Sequence, residues 1–454
     1  MPTCVPVTPG GRVALPRPGV VLIEEAGAPV CRAVRFGAGP LTLGRSARSE
    51  LVVDDEVVSG RHATLTLAPG GVLLDDLGKN GTWVEGERVT GRALLAGEAL
   101  VSLGASLALV VEDVTPFEER SAGVEQDHAG RDYVVGPRHA ATLSQVRAAG
   151  EAGLALFVRG ESGTGKEQAA RRYHAATGRR GPLEEVDATT VKAELAESQL
   201  FGHRRGAFSG AERDQKGKLV LAHGGTLFFD EVGDMAPLVQ PRLLRVLQER
   251  RVTPVGAETA TPIDVRLVSA TNRDVRAMIA AGAFREDLYV RLAEVEVLLE
   301  PLRARREEIP WLVRLALRQL ADARAAAPMR PAMGFVEACC LRPWRGENVR
   351  GLLRAVKAAV LAAERDRASE VGAAHLPAHA GRSPVTDDPA TPTGATGQTR
   401  QTGPTGSTAP MAKLPTLVRL REALAHNGGS LPKAAKEIGI SRTTAYDLWK
   451  RWGG

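Results

Sequence analysis

The octapeptide Gly160–Glu167, reading GESGTGKE, constrains this chain more than any other stretch. An apolar run, Ala155–Val158, enters it, and an Ala-rich stretch with helical spacing, Gln168–Ala176, leaves it. Strand, glycine-rich loop and helix in that order are the setting of a phosphate-binding P-loop. Gly160, Gly163 and Gly165 let backbone N–H groups turn inward, and the helix start adds its positive dipole end. Lys166 supplies charge for the outer phosphates, while Glu161, Ser162 and Thr164 complete the loop around a nucleotide. A plain Gly-rich turn is the alternative, and the flanking strand and helix argue against it. Glu167 stands where most P-loops carry a magnesium-touching Ser or Thr, so the metal must lean on other groups.

With 454 residues the chain has room for about three domains. Charged residues at 25% and hydrophobic ones at 43% are ordinary for globular protein. No apolar run is long enough to span a bilayer, so no membrane association is expected. Met1–Pro18 is rich in Pro and Gly with no apolar signal core, which predicts a disordered start over 1–18 and a cytoplasmic protein. Cys4, Cys31, Cys339 and Cys340 have neither metal-ligand nor disulfide spacing, in keeping with a reducing compartment. The net charge of +6 is uneven: Met411 to the end holds eight Lys/Arg against three Asp/Glu, a surplus of five. A polyanion is expected to bind there.

Residues 19–114 alternate apolar and polar side chains between Gly-rich breaks, as in Leu41–Leu43, Thr64–Leu67, Gly71–Leu74 and Thr82–Val84. Short strands at that spacing predict an all-β sandwich. Three clusters sit at strand ends: Gly44-Arg45-Ser46, Ser59-Gly60-Arg61-His62 and Asn80-Gly81-Thr82. Together they resemble the forkhead-associated (FHA) domain, which binds phosphothreonine peptides. The resemblance implies that Arg45 and Ser59 hold the phosphate, Asn80 fixes the peptide backbone and His62 braces the loops. A guanidinium fork with a hydroxyl suits a dianionic phosphate. Gly60 replaces a basic residue common in that family, and the Leu77–Asn80 turn is one residue short, so weaker affinity is expected.

Residues 115–132, charged and poor in apolar side chains, read as a linker. From Tyr133 strands and helices alternate, predicting a parallel sheet covered on both faces. Gly225–Glu231 reads as a buried strand delivering Asp230 and Glu231 at its end. Behind a P-loop this is a Walker B site, with Asp230 ordering magnesium and Glu231 polarising the attacking water. Val265–Ser269 predicts another strand, followed by Ala270-Thr271-Asn272, where Asn272 is placed to sense a terminal phosphate. Arg285 and Arg291 lie six residues apart, about 240° around a helix, so one of them is free to reach a neighbouring subunit's ATP.

Leu200–Ala211 reads LFGHRRGAFSGA and resembles the surface loop, GAFTGA, of sigma-54-dependent transcription activators of the AAA+ class. GESGTGKE, LFFDE, ATN, FREDLYVRL and WRGENVR follow in that family's order. The resemblance implies an α/β ATPase core over 133–300 and a helical lid over 301–378, assembled into a ring, usually a hexamer, with ATP and Mg2+. By it, Lys166, Asp230 and Glu231 form the ATP site, Asn272 is the first sensor, Arg350 is the lid's sensor, and Arg285 and Arg291 act in trans. Gly206, Ala207, Phe208, Ser209, Gly210 and Ala211 form the sigma-54 contact, with Phe208 and Ser209 at its tip. Three departures matter. Ser209 replaces Thr; Asp187 replaces an Asn that restrains Glu231 and is expected to raise that carboxylate's proton affinity. Trp344–Arg350 carries one extra residue, Glu347, expected to be absorbed by the turn at Gly346 so that Arg350 still points at ATP.

Residues 379–412 form a Thr/Pro/Gly linker: Gly381–Ala412 holds eight Thr, five Pro and five Gly without an aromatic, which predicts a tether. Residues 413–454 predict three helices resembling the Fis-type helix-turn-helix. Ser441 is an N-cap, and Arg442, Thr443, Thr444, Lys450 and Arg451 are the candidate DNA contacts. The whole reads as an ATP-dependent activator of sigma-54 RNA polymerase holoenzyme, held at upstream promoter DNA. Its FHA input comes from a phosphothreonine-containing protein or a Ser/Thr kinase. The rival is a phosphopeptide- and DNA-binding regulator with a degenerate ATPase.

Overall fold

The computed structural model describes residues 16–381, except 128, 190–192, 209–210 and 333, together with the single residue Lys436. The chain divides into two compact units that separate between Glu119 and Arg120. The predicted tail, with Ser441, Arg442, Thr443, Thr444, Lys450 and Arg451, lies outside the described residues.

The first unit is a β-sandwich. Its strands are β1 Gly19–Glu25, β2 Ala28–Arg35, β3 Leu41–Gly44, β4 Leu51–Val52, β5 Ala63–Ala68, β6 Gly71–Asp76, β7 Trp83–Val84, β8 Glu87–Arg88, β9 Arg92–Leu95, β10 Ala99–Leu103 and β11 Ser106–Val111. One sheet runs β2-β1-β11-β10-β7-β8 and the other β4-β3-β5-β6-β9. Alternate residues point inward from each strand, so Val20, Leu22, Val101 and Ala108 meet Leu41, Leu43, Leu65 and Leu74 in one core. Helix α1, Thr115–Glu119, ends the unit, with Val114 and Phe117 buried behind it.

The second unit opens with a hairpin of β12, Gly123–Gln126, and β13, Asp132–Val135. Residues 115–132 thus carry α1 and β12, and the boundary between the two units falls inside this stretch. Two apolar residues, Val114 and Phe117, suffice to pin α1. On β12 the partners are polar: Glu125 accepts from Tyr133 Oη at 3.0 Å and from Arg172 Nη2 at 2.6 Å. A stretch held by so few apolar groups carries almost no hydrophobic period.

After α2, Pro137–Ala152, come β14 Leu156–Arg159, α3 Lys166–Ala176, β15 Leu183–Asp187 and α4 Ala193–Phe201. The short pair β16 Gly202–His203 and β17 Gln215–Lys216 precedes α5 Lys218–Leu221, β18 Thr226–Asp230 and α6 Val239–Glu249. A second short pair, β19 Arg251–Val252 and β20 Thr261–Pro262, leads to β21 Arg266–Thr271, α7 Val275–Ala280, α8 Glu286–Leu292 and β22 Val295–Leu298. The parallel sheet runs β15-β18-β21-β14-β22. Its central strands are buried on both faces: Phe157, Leu227 and Phe229 join Leu243 and Leu288 on one side, while Leu156, Val158 and Phe228 meet Ala169, Ala170 and Tyr173 on the other. Because β14 lies between β21 and β22, the loop after it opens at a reversal of strand order, where ligands bind in such sheets.

The lid comprises α9 Ile309–Asp322, β23 Arg330–Pro331, α10 Phe335–Cys340, α11 Asn348–Arg365 and β24 Glu370–Val371. Trp344 is fully buried, and its Nε1 donates to Cys339 O at 2.8 Å, fixing the turn ahead of α11. Among the described residues no helix is long and apolar enough to cross a membrane.

Candidate functional site

The P-loop joins β14 to α3. Gly163 and Gly165 take left-handed φ values of 76° and 107°, which a side chain disfavours. Gly160 serves differently: a Cβ there would lie 2.8 Å from Thr164 Oγ1 and 3.1 Å from Leu299 O, so it is needed for close approach rather than for turning. Lys166 is 7% exposed, and its Nζ donates to Glu231 Oε1 at 2.5 Å and Gly160 O at 3.3 Å. The other oxygen of Glu231 accepts from Asn272 N at 2.9 Å. Four expected residues thus converge: Lys166, Asp230, Glu231 and Asn272. Glu231 itself has φ 48°, a conformation that costs a non-Gly residue about 1 kcal/mol or more and is concentrated at functional sites.

Carboxylates crowd this end of the sheet. Burial pushes the Asp230 carboxyl up, Lys166 opposes that, and Glu231 and Asp187 add to it. Burial likewise raises Glu185, helped by Glu167 and Asp230. Asp187, opposite Asp230 in the β15–β18 register, accepts from Thr189 N at 2.9 Å and Thr189 Oγ1 at 2.6 Å. Asp187 thus faces Asp230 across the two strands and helps push that carboxyl up. Glu167 turns out to Arg171, one helical turn on, and is 55% exposed. No group of three His, Cys, Asp or Glu residues arranged to hold a metal exists among the described residues. A magnesium ion needs only one or two carboxylates when substrate phosphates supply the rest, and Asp230, half-buried and acidic-crowded, fits that part.

The lid sits directly on the P-loop. Asn348 is fully buried, and its Oδ1 accepts from Leu302 N at 2.9 Å. Its Nδ2 donates to Ser162 O at 2.9 Å and Glu161 Oε2 at 3.1 Å. Arg303 grips Glu161 through two bonds of 3.0 and 2.6 Å, and together with Asn348 holds that carboxyl below its ordinary range despite partial burial. Val349 N donates to Gly163 O at 3.1 Å. The extra residue Glu347 is taken up in the turn: α11 begins at Asn348, after Gly346 at φ 78°. Arg350 Nη1 consequently lies 3.2 Å from Ser162 Oγ.

Beneath the loop runs a buried network that sequence reasoning missed. Arg305, 2% exposed, donates to Thr164 O at 2.7 Å, Glu308 Oε2 at 2.8 Å and His139 Nδ1 at 2.8 Å. Glu308 Oε1 accepts from Gly136 N at 2.9 Å. Burial lowers His139, whose Nδ1 accepts from Arg305; burial would raise Glu308, but foremost the Arg305 charge beside it outweighs that. Apart from the Arg305–Glu308 pair, three residues apart, these contacts span more than a hundred residues, with no local spacing to announce them.

Arg285 and Arg291 do not share a helix. Arg285 is the extended N-cap residue of α8 and binds Asp287 through a fork of 3.0 and 2.7 Å, so the 240° separation does not apply. Arg291, in the last turn, lies 3.3 Å from Glu294. Both are partly exposed. A cavity of about 220 Å3 beside Arg291, lined also by Arg250 and Arg266, opens at the amino-terminal end of the strands, away from the P-loop.

In the sandwich, Arg45 is exposed at the end of β3, Ser59 is half-buried and Asn80 exposed. His62 is fully buried; its Nδ1 accepts from Ser59 N at 3.1 Å, so Nε2 donates to Gly81 O at 3.0 Å. One ring thereby ties the Ser59 loop to the Asn80 loop. Lys79 N donates to Ser59 Oγ at 3.2 Å, and Asn80 Nδ2 to Val57 O at 2.7 Å. The short Leu77–Asn80 turn is accommodated because Gly78 leaves room for the ring, where a Cβ would come within 2.6 Å. Gly206, Ala207, Phe208 and Ala211 form a closed turn after β16; Ser209 and Gly210 lie outside the described residues.

Residues 135–298 match the sigma-54 interaction domain, 41–104 the FHA domain, and 418–452 the bacterial regulatory protein, Fis family. The transcriptional regulatory protein ZraR of Klebsiella oxytoca is 38% identical over 309 residues, 68% of this chain and 66% of that protein. A Nif-specific regulatory protein of Herbaspirillum seropedicae is 44% identical over 232 residues, 50% of this chain and 42% of that one. The chain thus spans less than two thirds of the length of these curated relatives. A crystal structure of NtrX from Brucella abortus in complex with ATP is 29% identical, covering 69% of this chain and 67% of its own, with a TM-score of 0.49.

Proposed function

Since the chain belongs to the sigma-54-dependent activators, with an FHA domain before the sigma-54 interaction domain and a Fis-type domain after it, we propose that it hydrolyses ATP to drive promoter opening by sigma-54 RNA polymerase holoenzyme. The observation that carries this reading is the convergence of Lys166, Glu231 and Asn272 beside a lid-capped P-loop. The Lys166–Glu231 pair is a resting arrangement. Phosphate oxygens entering the glycine cradle would draw the Lys166 ammonium forward and release Glu231 to accept a proton from the attacking water. Magnesium, when bound at Asp230, supplies charge that neutralises the phosphates. Asn272, whose backbone N–H donates to Glu231, would sense the terminal phosphate through its side chain. Arg350 reads closure from the lid, and Arg285 or Arg291 serves a neighbouring subunit in a ring, usually a hexamer.

Phe208 and Ser209 would press on sigma-54. The Fis-type tail, through Ser441, Arg442, Thr443, Thr444, Lys450 and Arg451, would hold the ring at upstream DNA. Arg45, Ser59 and Asn80 would receive a phosphothreonine from a partner protein or Ser/Thr kinase in the cytoplasm. The test is open-complex formation on a supercoiled promoter by sigma-54 polymerase and this protein, with ATP or a non-hydrolysable analogue. Melting only with ATP is expected. Nucleotide binding without turnover would favour the rival, a degenerate ATPase, for which Asp187 at the family's Asn position is the supporting observation.

A further inference from the structure

The ring of Phe208 does not stand free. It meets His203 edge-on, with centroids 4.9 Å apart and planes at 63°, and is 38% exposed. His203 is 7% exposed, and its Nδ1 lies 2.6 Å from Ser198 Oγ, itself buried on α4. The backbone around the tip is closed as well. Gly206 N donates to Ala211 O at 2.8 Å, Ala211 N to Phe208 O at 3.0 Å, and Arg204 N to Val255 O at 3.0 Å. Asp214 staples the base by accepting from Arg205 N at 2.8 Å and pairing with Arg204. Ala207 sits where Gly256 leaves room, since a Cβ on that glycine would lie 2.9 Å from it.

An aromatic tip that must press on a partner is therefore packed against its own domain. We propose that His203 is a positioning residue for the tip: a latch, oriented by Ser198, that keeps Phe208 parked against its own domain. This rests on the sigma-54 reading for its purpose but not for its geometry. Removing the ring contact frees the tip, and restoring any ring re-parks it.

The experiment uses the full chain with His203→Gln, which keeps a polar group near Ser198 without a ring, and His203→Phe, which keeps a ring. Hydrogen exchange of the peptide spanning 202–212 is read first, with no partner present. An edge-on aromatic pair shifts an equilibrium about 2- to 12-fold, so His203→Gln should speed exchange there by that factor, with β18 exchange and ATP turnover unchanged. His203→Phe should return it to the wild-type rate. Nucleotide-free retention of purified sigma-54 should rise in His203→Gln by a similar factor. Equal exchange in wild type and His203→Gln, or a His203→Phe variant as fast as His203→Gln, overturns the latch. Faster exchange with no sigma-54 retained in any nucleotide state upholds the latch and counts against the sigma-54 reading instead.

Discussion

Replacing Asn348 by Asp changes one atom type at the junction of lid and P-loop. The left-handed φ of 46° is tolerated by both residues, and the Leu302 N–H keeps its acceptor. Two donors vanish, however: the bond to Ser162 O, worth about 1 kcal/mol, and the bond to the ionised Glu161, worth about 2 kcal/mol. Their sum, about 3 kcal/mol, lowers the docked fraction of the lid by up to about a hundred-fold. A new carboxylate also faces Glu161. At an effective dielectric of about 20 the repulsion approaches 4 kcal/mol at 4 Å, less whatever Arg303 neutralises. Because Arg350 rides on the same helix two residues later, apparent ATP affinity should fall in proportion to the docked fraction. Calorimetric titration of the full chain with ATP is the assay. Adding Glu161→Gln should recover the repulsive part while leaving the lost donors unrepaired. An ATP affinity within two-fold of wild type would refute the idea that Asn348 clamps the lid.

Glu231→Gln should bind ATP and fail to turn it over; undiminished release of phosphate would remove Glu231 from the reaction. Glu307, fully buried with neither oxygen bonded, is pushed up to about 8 by burial. Folded protein therefore holds a proton that the unfolded chain releases above about pH 4.5, so stability falls by on the order of 1 kcal/mol per pH unit from there to about pH 8. Glu307→Gln should remove that slope, raising Tm at pH 8 far more than at pH 5, and parallel Tm curves for the two proteins would contradict it. Arg45→Ala should abolish binding of a phosphothreonine peptide by fluorescence anisotropy. Gly60→Lys should strengthen it several-fold, because the exposed Gly60 position has nothing nearer than Ser46 Cβ at 3.9 Å.

Local chemistry was readable from the chain alone. The P-loop, the Asp230–Glu231 pair and the three sandwich clusters each consist of residues a few positions apart, whose spacing states their geometry. The turn at Gly346 was readable for the same reason, since a glycine ahead of a helix absorbs an extra residue cheaply. Contacts closing over long sequence distance were not. Arg303 finds Glu161, and Arg305 finds Thr164 and His139, with no periodicity to announce them. Arg285 misled because a helical wheel was applied to a residue that caps the helix from outside. Within 115–132, α1 and β12 escaped notice because anchoring there rests on Val114, Phe117 and a polar edge instead of an apolar stripe. Asp187 was readable as an added charge, whereas its place opposite Asp230 needed the strand register.

Gly163 has a consequence for how the ATP site senses the lid. A methyl group at that glycine would lie 2.0 Å from Glu347 O, so the lid's main chain occupies the volume a side chain would take. The glycine is thus required twice, once by its own φ and once by a neighbour from a different subdomain. Loop shape and lid angle then behave as a single mechanical coordinate. Swinging the lid away strands Gly163 O and Val349 N together, and a loop remoulded by phosphates must carry α11 with it. In such a joint, tightness of grip on the nucleotide and position of the lid cannot be tuned separately by evolution, since the same peptide groups set both.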